Sequence, residues 1–185
     1  MKKQRSEKSI NNNEIEIKSL SKIEVKIIAW LEFYQKYFFT IKDIEQFFED
    51  NFQRYNTIKS LVKKKRIIKI NKSKYYLIPI KAKSGAWIPH EFVIVDEICN
   101  SGEYYIGGWT AANYWKLTNQ VPFTIEVFIT KRQGKINLLN TKIYFHRIRK
   151  IDKNKYIIKK IMNHEFKILN KNESKKWLKL RESLI

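Results

Sequence analysis

The stretch "IKSLVKKKRIIKINKSKYYLIPI", residues 58–80, changes its period halfway along. Ile58, Leu61 and Val62 keep the spacing of one helical face, whereas "RIIKI" and "KYYLIPI" are β-branched and aromatic runs on either side of "NKSK". That pattern reads as a helix entering a two-stranded antiparallel hairpin. Four consecutive cations, Lys63 to Arg66, mark the junction. From Arg54 to Lys83 there are eleven Lys and Arg and no Asp or Glu, so the partner of this stretch is expected to be an anion.

Upstream, the helix is expected over residues 52–65, with Tyr55, Ile58, Leu61 and Val62 facing a core and Asn56, Thr57, Lys59, Ser60, Lys63 and Lys64 on the other side. Two further helices precede it. "SKIEVKIIAWLEFYQKY" starts with a capping-box pair, Ser21 and Glu24, and puts Ile23, Ile27, Trp30, Leu31 and Tyr34 on one face. "TIKDIEQFFED" repeats the device with Thr40 and Asp43, followed by Ile41, Ile44, Phe47 and Phe48. Helix, helix, helix and hairpin in about sixty residues is the plan of a winged helix-turn-helix, whose third helix enters the major groove while the hairpin touches the flanking backbone.

Downstream, "KAKSG" at 81–85 reads as a linker, and the composition turns from basic to aromatic and mildly acidic. A helix is expected from Pro89 to Cys99, a strand at "YYIG", a short helix from Trp109 to Leu117, and strands near 124–130, 135–139 and 142–148. "YIIKKIMNHEFKIL" reads as two strands turning at Asn163, with a last helix capped by Asn170 and Glu173. The fold class is therefore α+β. Its expected parts are a flexible polar arm at 1–18, a winged-helix domain at 19–80, the linker, and a small mixed α+β domain at 86–185.

The chain has 185 residues, 43% of them hydrophobic, and a formal net charge of +20. Abundant Lys, Asn and Ile can reflect coding bias, but the charge is unevenly placed. Residues 131–160 carry eleven cations against Asp152, while residues 84–130 carry only Lys116 against five acids. A single cysteine, Cys99, excludes an intrachain disulfide and a cysteine metal cluster and reads as a buried thiol. The basic N-terminus reaches no apolar stretch of signal-peptide length, and no apolar run approaches the ~20 residues of a membrane helix. A cytoplasmic protein with no membrane partner is expected.

On this reading Asn56, Thr57, Lys59 and Ser60 are the base-reading candidates, since Asn pairs with adenine and Lys reaches guanine. Arg54, Lys63, Lys64, Lys65, Arg66, Lys69, Lys72 and Lys74 are the phosphate-contact candidates. A second basic surface is expected from Lys131, Arg132, Lys135, Lys142, Arg147, Arg149 and Lys150, where Ile143 and Phe145 alternate with Lys142, Tyr144 and His146. This surface either extends a DNA footprint, or is simply solvated, or receives an acidic partner. The glycine pair of "GGW" either offers backbone N–H groups to an anion or serves a tight strand-to-helix turn; neither a phosphate-loop Lys nor a dinucleotide fingerprint accompanies it. Trp109, Tyr114 and Trp115 read as core aromatics before they read as a base-stacking platform.

An enzyme is not expected, nor a cofactor or bound metal. His90, His146 and His164 have no metal-ligand spacing, and no G-x-S-x-G occurs. The alternative readings are a metal-dependent nuclease, for which Glu103 and Glu126 with Lys131 would have to converge, and a basic partner-docking module.

"YYIGGWTAANYWKLTNQVP", "TKRQGK" and "HEFKILNKNESKKWL" resemble the second domain of AbiEi-type antitoxins, the transcriptional regulators of type IV toxin-antitoxin and abortive-infection systems. "KKRIIKINKSKYYLIPI" is similar to the winged helix that precedes it in that family. The resemblance spans Ser21 to Leu180, and "GGWTAANYW" is its most specific part. It implies a repressor that binds double-stranded DNA at the promoter of its own operon. It also implies a nucleotidyltransferase-like toxin as functional partner, opposed without a stable complex. Two departures stand out. The chain stops soon after "KWLKL", short of the helical extension of longer members, and the hairpin turn carries Ser73 where similar sequences often have glycine.

Overall fold

A computed structural model describes residues 19–80, 89–161 and 164–183. The expected arm at 1–18 and the linker at 81–85 lie outside the described residues, as does Asn163. The fold is mixed α+β, with a three-stranded and a six-stranded sheet. The chain divides into two compact units, one formed by residues 19–68 with 75–80 and the other by 69–74 with 89–183. The division thus differs from the expected boundary after residue 80 at the hairpin tip, which groups with the second unit.

In the first unit, α1 (Lys22–Phe33) begins at the anticipated capping box: the Ser21 N–H donates to Glu24 Oε2 at 2.6 Å, and the Glu24 N–H donates to Ser21 Oγ at 3.4 Å. Ile27, Ile28 and Leu31 form its fully buried face, whereas Tyr34, expected on that face, caps the helix and is exposed. A short strand that the sequence did not announce, β1 (Phe38–Thr40), leads into a 3-10 helix (Ile41–Phe47) instead of the expected α-helix. Asp43 accepts from both the N–H and the hydroxyl of Thr40, at 2.7 and 2.8 Å, and seven residues later the chain must already extend toward the next cap.

That cap is Asp50, whose Oδ1 accepts from the Gln53 N–H at 2.7 Å and opens α2 (Asn51–Lys63). The helix stops two residues short of the expected Lys65, which has φ +54°. The Lys65 N–H donates to the Val62 carbonyl and the Arg66 N–H to the Leu61 carbonyl, which is a Schellman ending with lysine in the left-handed position usually given to glycine. The tight reversal lets the chain pass at once into β2 (Ile67–Lys69) and β3 (Lys74–Leu77). At the tip, Asn71 Oδ1 accepts from the N–H and hydroxyl of Ser73 and from the N–H of Lys74. This carboxamide holds the turn, and Ser73 is not among the residues with positive φ, so no glycine is required there. The sheet order is β1-β3-β2, and Ile27, Ile28, Leu31, Phe39, Ile44, Leu61, Ile67 and Leu77 fill the core beneath it.

In the second unit, α3 (Glu91–Cys99) is capped by His90, whose Nδ1 accepts from the Phe92 N–H at 3.2 Å. Then follow β4 (Tyr104–Ile106), α4 (Gly108–Tyr114), β5 (Ile125–Ile129), β6 (Gly134–Leu138), β7 (Thr141–Arg147), a 3-10 turn (Lys153–Lys155), β8 (Tyr156–Ile161), β9 (His164–Leu169) and α5 (Lys171–Glu182). The anticipated Asn170 cap opens α5 by accepting from the Glu173 N–H at 2.9 Å. The strands lie in the order β6-β7-β5-β4-β9-β8, with β5–β7 and β4–β9 parallel and the remaining neighbours antiparallel. Alternate residues of these strands, among them Ile106, Val127, Phe145 and Ile168, pack with Phe92, Ile94, Val95 and Ile98 of α3 into the core.

Candidate nucleic-acid interface

The burial of α2 is rotated from the face that its hydrophobic residues suggest. Leu61 and Thr57 are buried and Ile58 is half-buried, while Phe52, Tyr55 and Val62 are 75%, 64% and 42% exposed. Tyr55 and Val62 therefore leave the expected core face, and Thr57, 7% exposed, turns inward and cannot reach a base edge. Asn56 and Lys59 are exposed as expected, and Lys59 Nζ lies 5.8 Å from the centre of the Tyr55 ring. Ser60 is half-buried and hydrogen-bonds the Glu24 carboxylate, so its hydroxyl already has a partner.

The expected phosphate contacts separate into free and committed cations. Lys64 Nζ donates to Glu24 Oε2 at 2.6 Å, and this carboxylate is itself 1% exposed. Burial pushes the Glu24 carboxyl up, but the Lys64 ammonium, the Ser21 N–H and the Ser60 hydroxyl outweigh it and hold the group below its usual range. Lys64 is thus the counter-ion of a buried acid. Lys74 Nζ binds Glu97 Oε2 within the second unit, and Arg54 lies 3.6 Å from Glu45 at the surface. Lys63, Lys65, Lys69 and Lys72 are exposed and Arg66 is half-buried.

The second basic block does not form one face. Pairing sets Lys135 opposite Tyr144 and Asn137 opposite Lys142, which places Lys135, Lys142, Tyr144 and His146 together on the face away from α3. Arg132 instead spreads over the Phe145 ring, 4.5 Å from its centre, on the core side. Arg149 and Lys150 line an open hollow with Glu103, Thr130, Asp152 and Lys153, where two acids offset the cations. Lys131 and Arg147 are exposed.

Across the same outer face runs a row of rings absent from the sequence expectations. Tyr156, Tyr105, Phe128 and His146 stand nearly parallel, with successive centroids 6.3, 5.1 and 4.7 Å apart. Its signal was available, since Tyr105, Phe128 and His146 occupy outward positions of three strands, but only the strand order makes them neighbours. All four residues are half-buried, and Tyr105 and Phe128, in the middle of the row, have a ring on either side.

The "GGW" turn serves this row and the carboxylate beside it. A Cβ on Gly107 would lie 2.6 Å from the Phe128 ring, and one on Gly108, φ +58°, would lie 2.4 Å from the Glu126 carboxyl. Glu126 Oε1 accepts from the Trp109 N–H at 3.1 Å, and Oε2 lies 2.9 Å from His146 Nε2. The backbone donor at the start of α4 is therefore satisfied by the protein's own carboxylate, which favours the structural reading of the glycines. Of the two aromatics that follow, Trp115 donates from Nε1 to the Leu169 carbonyl, and Tyr114 packs edge-on against Phe166.

The geometry required of a nuclease does not form at the residues considered. Glu126 neighbours Gly107, whose N–H donates to its carbonyl, whereas Glu103 precedes the residue paired with Ile129 at the far end of β5. At ~3.3 Å per residue the two are separated by about 13 Å along the strand pair. His146 is held by Glu126, and His164 Nδ1 lies 3.7 Å from Glu97. Cys99 is half-buried; burial, and then Asp96, push its thiol up to about 12, which makes it a poor nucleophile.

No protein-family model matches the chain, and no curated protein does. Among solved structures, the fold is similar to a crystal structure of the RV2827C protein from Mycobacterium tuberculosis, with a TM-score of 0.53 at 14% identity. The match covers 70% of this chain and 46% of that one, so the chain spans about half of its structural neighbour. At this identity the likeness concerns the fold alone. Among the described residues no helix is long and apolar enough to cross a membrane.

Proposed function

We propose that the first unit is a winged helix-turn-helix that binds duplex DNA, and that the protein is a cytoplasmic transcriptional regulator. The supporting observation is the outward face of α2, where Asn56, Lys59 and Lys63 stand exposed in a stretch that has no acid between Asp50 and Glu91. The element order and the β1-β3-β2 sheet suit this reading, because they set a helix immediately before a hairpin whose exposed Lys69 and Lys72 can meet flanking phosphates.

Repression would work by occlusion of a promoter, with phosphate neutralisation supplying much of the affinity and Asn56 and Lys59 supplying base preference. The resemblance of "GGWTAANYW" to AbiEi-type antitoxins extends the proposal. The protein would be the autorepressing antitoxin of a type IV toxin-antitoxin operon and oppose a nucleotidyltransferase-like toxin without needing to bind it.

The test is binding of the purified protein to the DNA upstream of its own coding sequence and to a scrambled duplex, across ~50 to ~200 mM salt. Tighter binding to the upstream DNA, with a steep salt slope on both, supports a sequence-specific regulator. Equal binding reduces α2 to a general phosphate contact, and absence of binding to either overturns the proposal.

A further inference from the structure

Phe52, Tyr55 and Val62 pose a problem that the cations of α2 do not. A helix that carried only phosphate contacts would have no use for two aromatic rings and a valine held 75%, 64% and 42% in water. At 100° per residue, Phe52, Asn56, Lys59 and Lys63 fall on one narrow stripe, and Tyr55 and Val62 line its edge. The stripe is about 16 Å long at 1.5 Å per residue, enough to lie along a major groove. Its charge is wholly positive, and no acid follows Asp50 until Glu91, which disfavours a basic or neutral protein partner and suits a polyanion.

We infer that α2 reads A·T base pairs through thymine methyl groups as well as through hydrogen bonds. This rests on the proposed binding of duplex DNA and names the DNA. The apolar group that a duplex displays in its major groove is the C5 methyl of thymine, and its partner adenine offers the N6 and N7 pair that an asparagine carboxamide matches. Phe52 and Tyr55 precede Asn56 in the N-terminal half of α2, the part of a recognition helix that meets base edges. Lys59, drawn toward the Tyr55 ring, stays beside Asn56 for base edges, and Lys63, one turn further on, remains for phosphates. The occupant of this face is therefore an A·T-rich duplex.

The experiment selects binding duplexes from a random library, then compares the tightest one with a copy in which deoxyuridine replaces every thymidine, removing the methyls and keeping the base pairs. The selected duplex is expected to be A·T-rich. Wild-type protein should lose about fourfold in affinity for each methyl it buries, and Phe52→Ala/Tyr55→Ala should bind the two forms within about twofold. Both side chains are exposed, so the double variant should fold, which its melting curve checks. If wild type binds both forms alike, if the enriched duplexes are G·C-rich, or if the double variant still discriminates, thymine reading is overturned while DNA binding stands. If no duplex is enriched, DNA binding itself fails, and thymine reading falls with it.

Discussion

Lys64 and Glu24, forty residues apart, meet at 2.6 Å and join the end of α2 to the start of α1 around a carboxylate that is 1% exposed. One member of a run of four cations is therefore a structural ion. Removing the ammonium would leave a buried carboxylate with only neutral hydrogen-bond partners. Lys64→Ala should destabilise the protein by about 3 kcal/mol, and Lys63→Ala, its exposed neighbour, by less than about 0.5 kcal/mol. Urea unfolding of the two variants checks this contrast.

The same pair sets a pH dependence. The Glu24 carboxyl is held below its ordinary value in the folded chain, and so is that of Asp43, where burial is outweighed by Lys36 and Thr40. The unfolded chain therefore binds these protons more readily than the folded one. Their contribution is fully present above the ordinary carboxylate value of ~4.5 and is lost as pH falls through the lower folded values. Unfolding free energy measured between pH 6 and pH 3 should fall less steeply in Glu24→Gln than in wild type; equal slopes would place the acid sensitivity elsewhere.

At the glycine pair, Gly108→Ala forces a Cβ to within 2.4 Å of the Glu126 carboxyl at φ +58°. The expected cost is about 2 kcal/mol or more, since neither the backbone nor a hydrogen-bonded carboxylate can move freely. The ring resonances of His146 should shift as Glu126 is displaced. Unchanged stability and spectrum would mean that the turn is looser than described.

Three helices end on the same device without glycine. Gln35, Lys65 and Lys116 each have φ +54° one residue beyond the helix cap. Gln35 is exposed and lies off the α2 face, so Gln35→Gly should stabilise by about 0.5–1 kcal/mol and raise the melting temperature. A lower melting temperature would show that the entropy glycine adds to the unfolded chain outweighs the relief.

These endings also explain what the sequence concealed. Helix starts were legible because Ser21, Thr40 and Asn170 are followed three residues on by Glu24, Asp43 and Glu173, although Asp50, which starts α2, was passed over. The ends of α1, α2 and α4 were not, because lysine and glutamine fill the positions where glycine would have marked them, whereas α3 ends at Cys99 as expected. The strands were visible from alternation, except β1, whose three residues are too few to show a period and depend on pairing with β3. On α2 the hydrophobic pattern misled: Tyr55 and Val62 were assigned to the core because apolar residues usually go there, and Thr57 was assigned to the surface for the opposite reason. Nor could spacing show that Lys64 finds Glu24 or that Phe128 finds Tyr105 and His146, since those neighbours are set by tertiary and sheet order.

The central claim, that the exposed Lys63 of α2 meets a DNA phosphate while Lys64 does not, is tested most directly by the salt dependence of duplex binding. The slope of log affinity against log salt would be measured for wild type, Lys63→Ala and Lys64→Met, each at a temperature below its melting transition. The account predicts that Lys63→Ala flattens the slope by about 0.9, the loss of one phosphate contact, and that Lys64→Met leaves it unchanged. A slope unaffected by Lys63→Ala, or flattened equally by Lys64→Met, would contradict it.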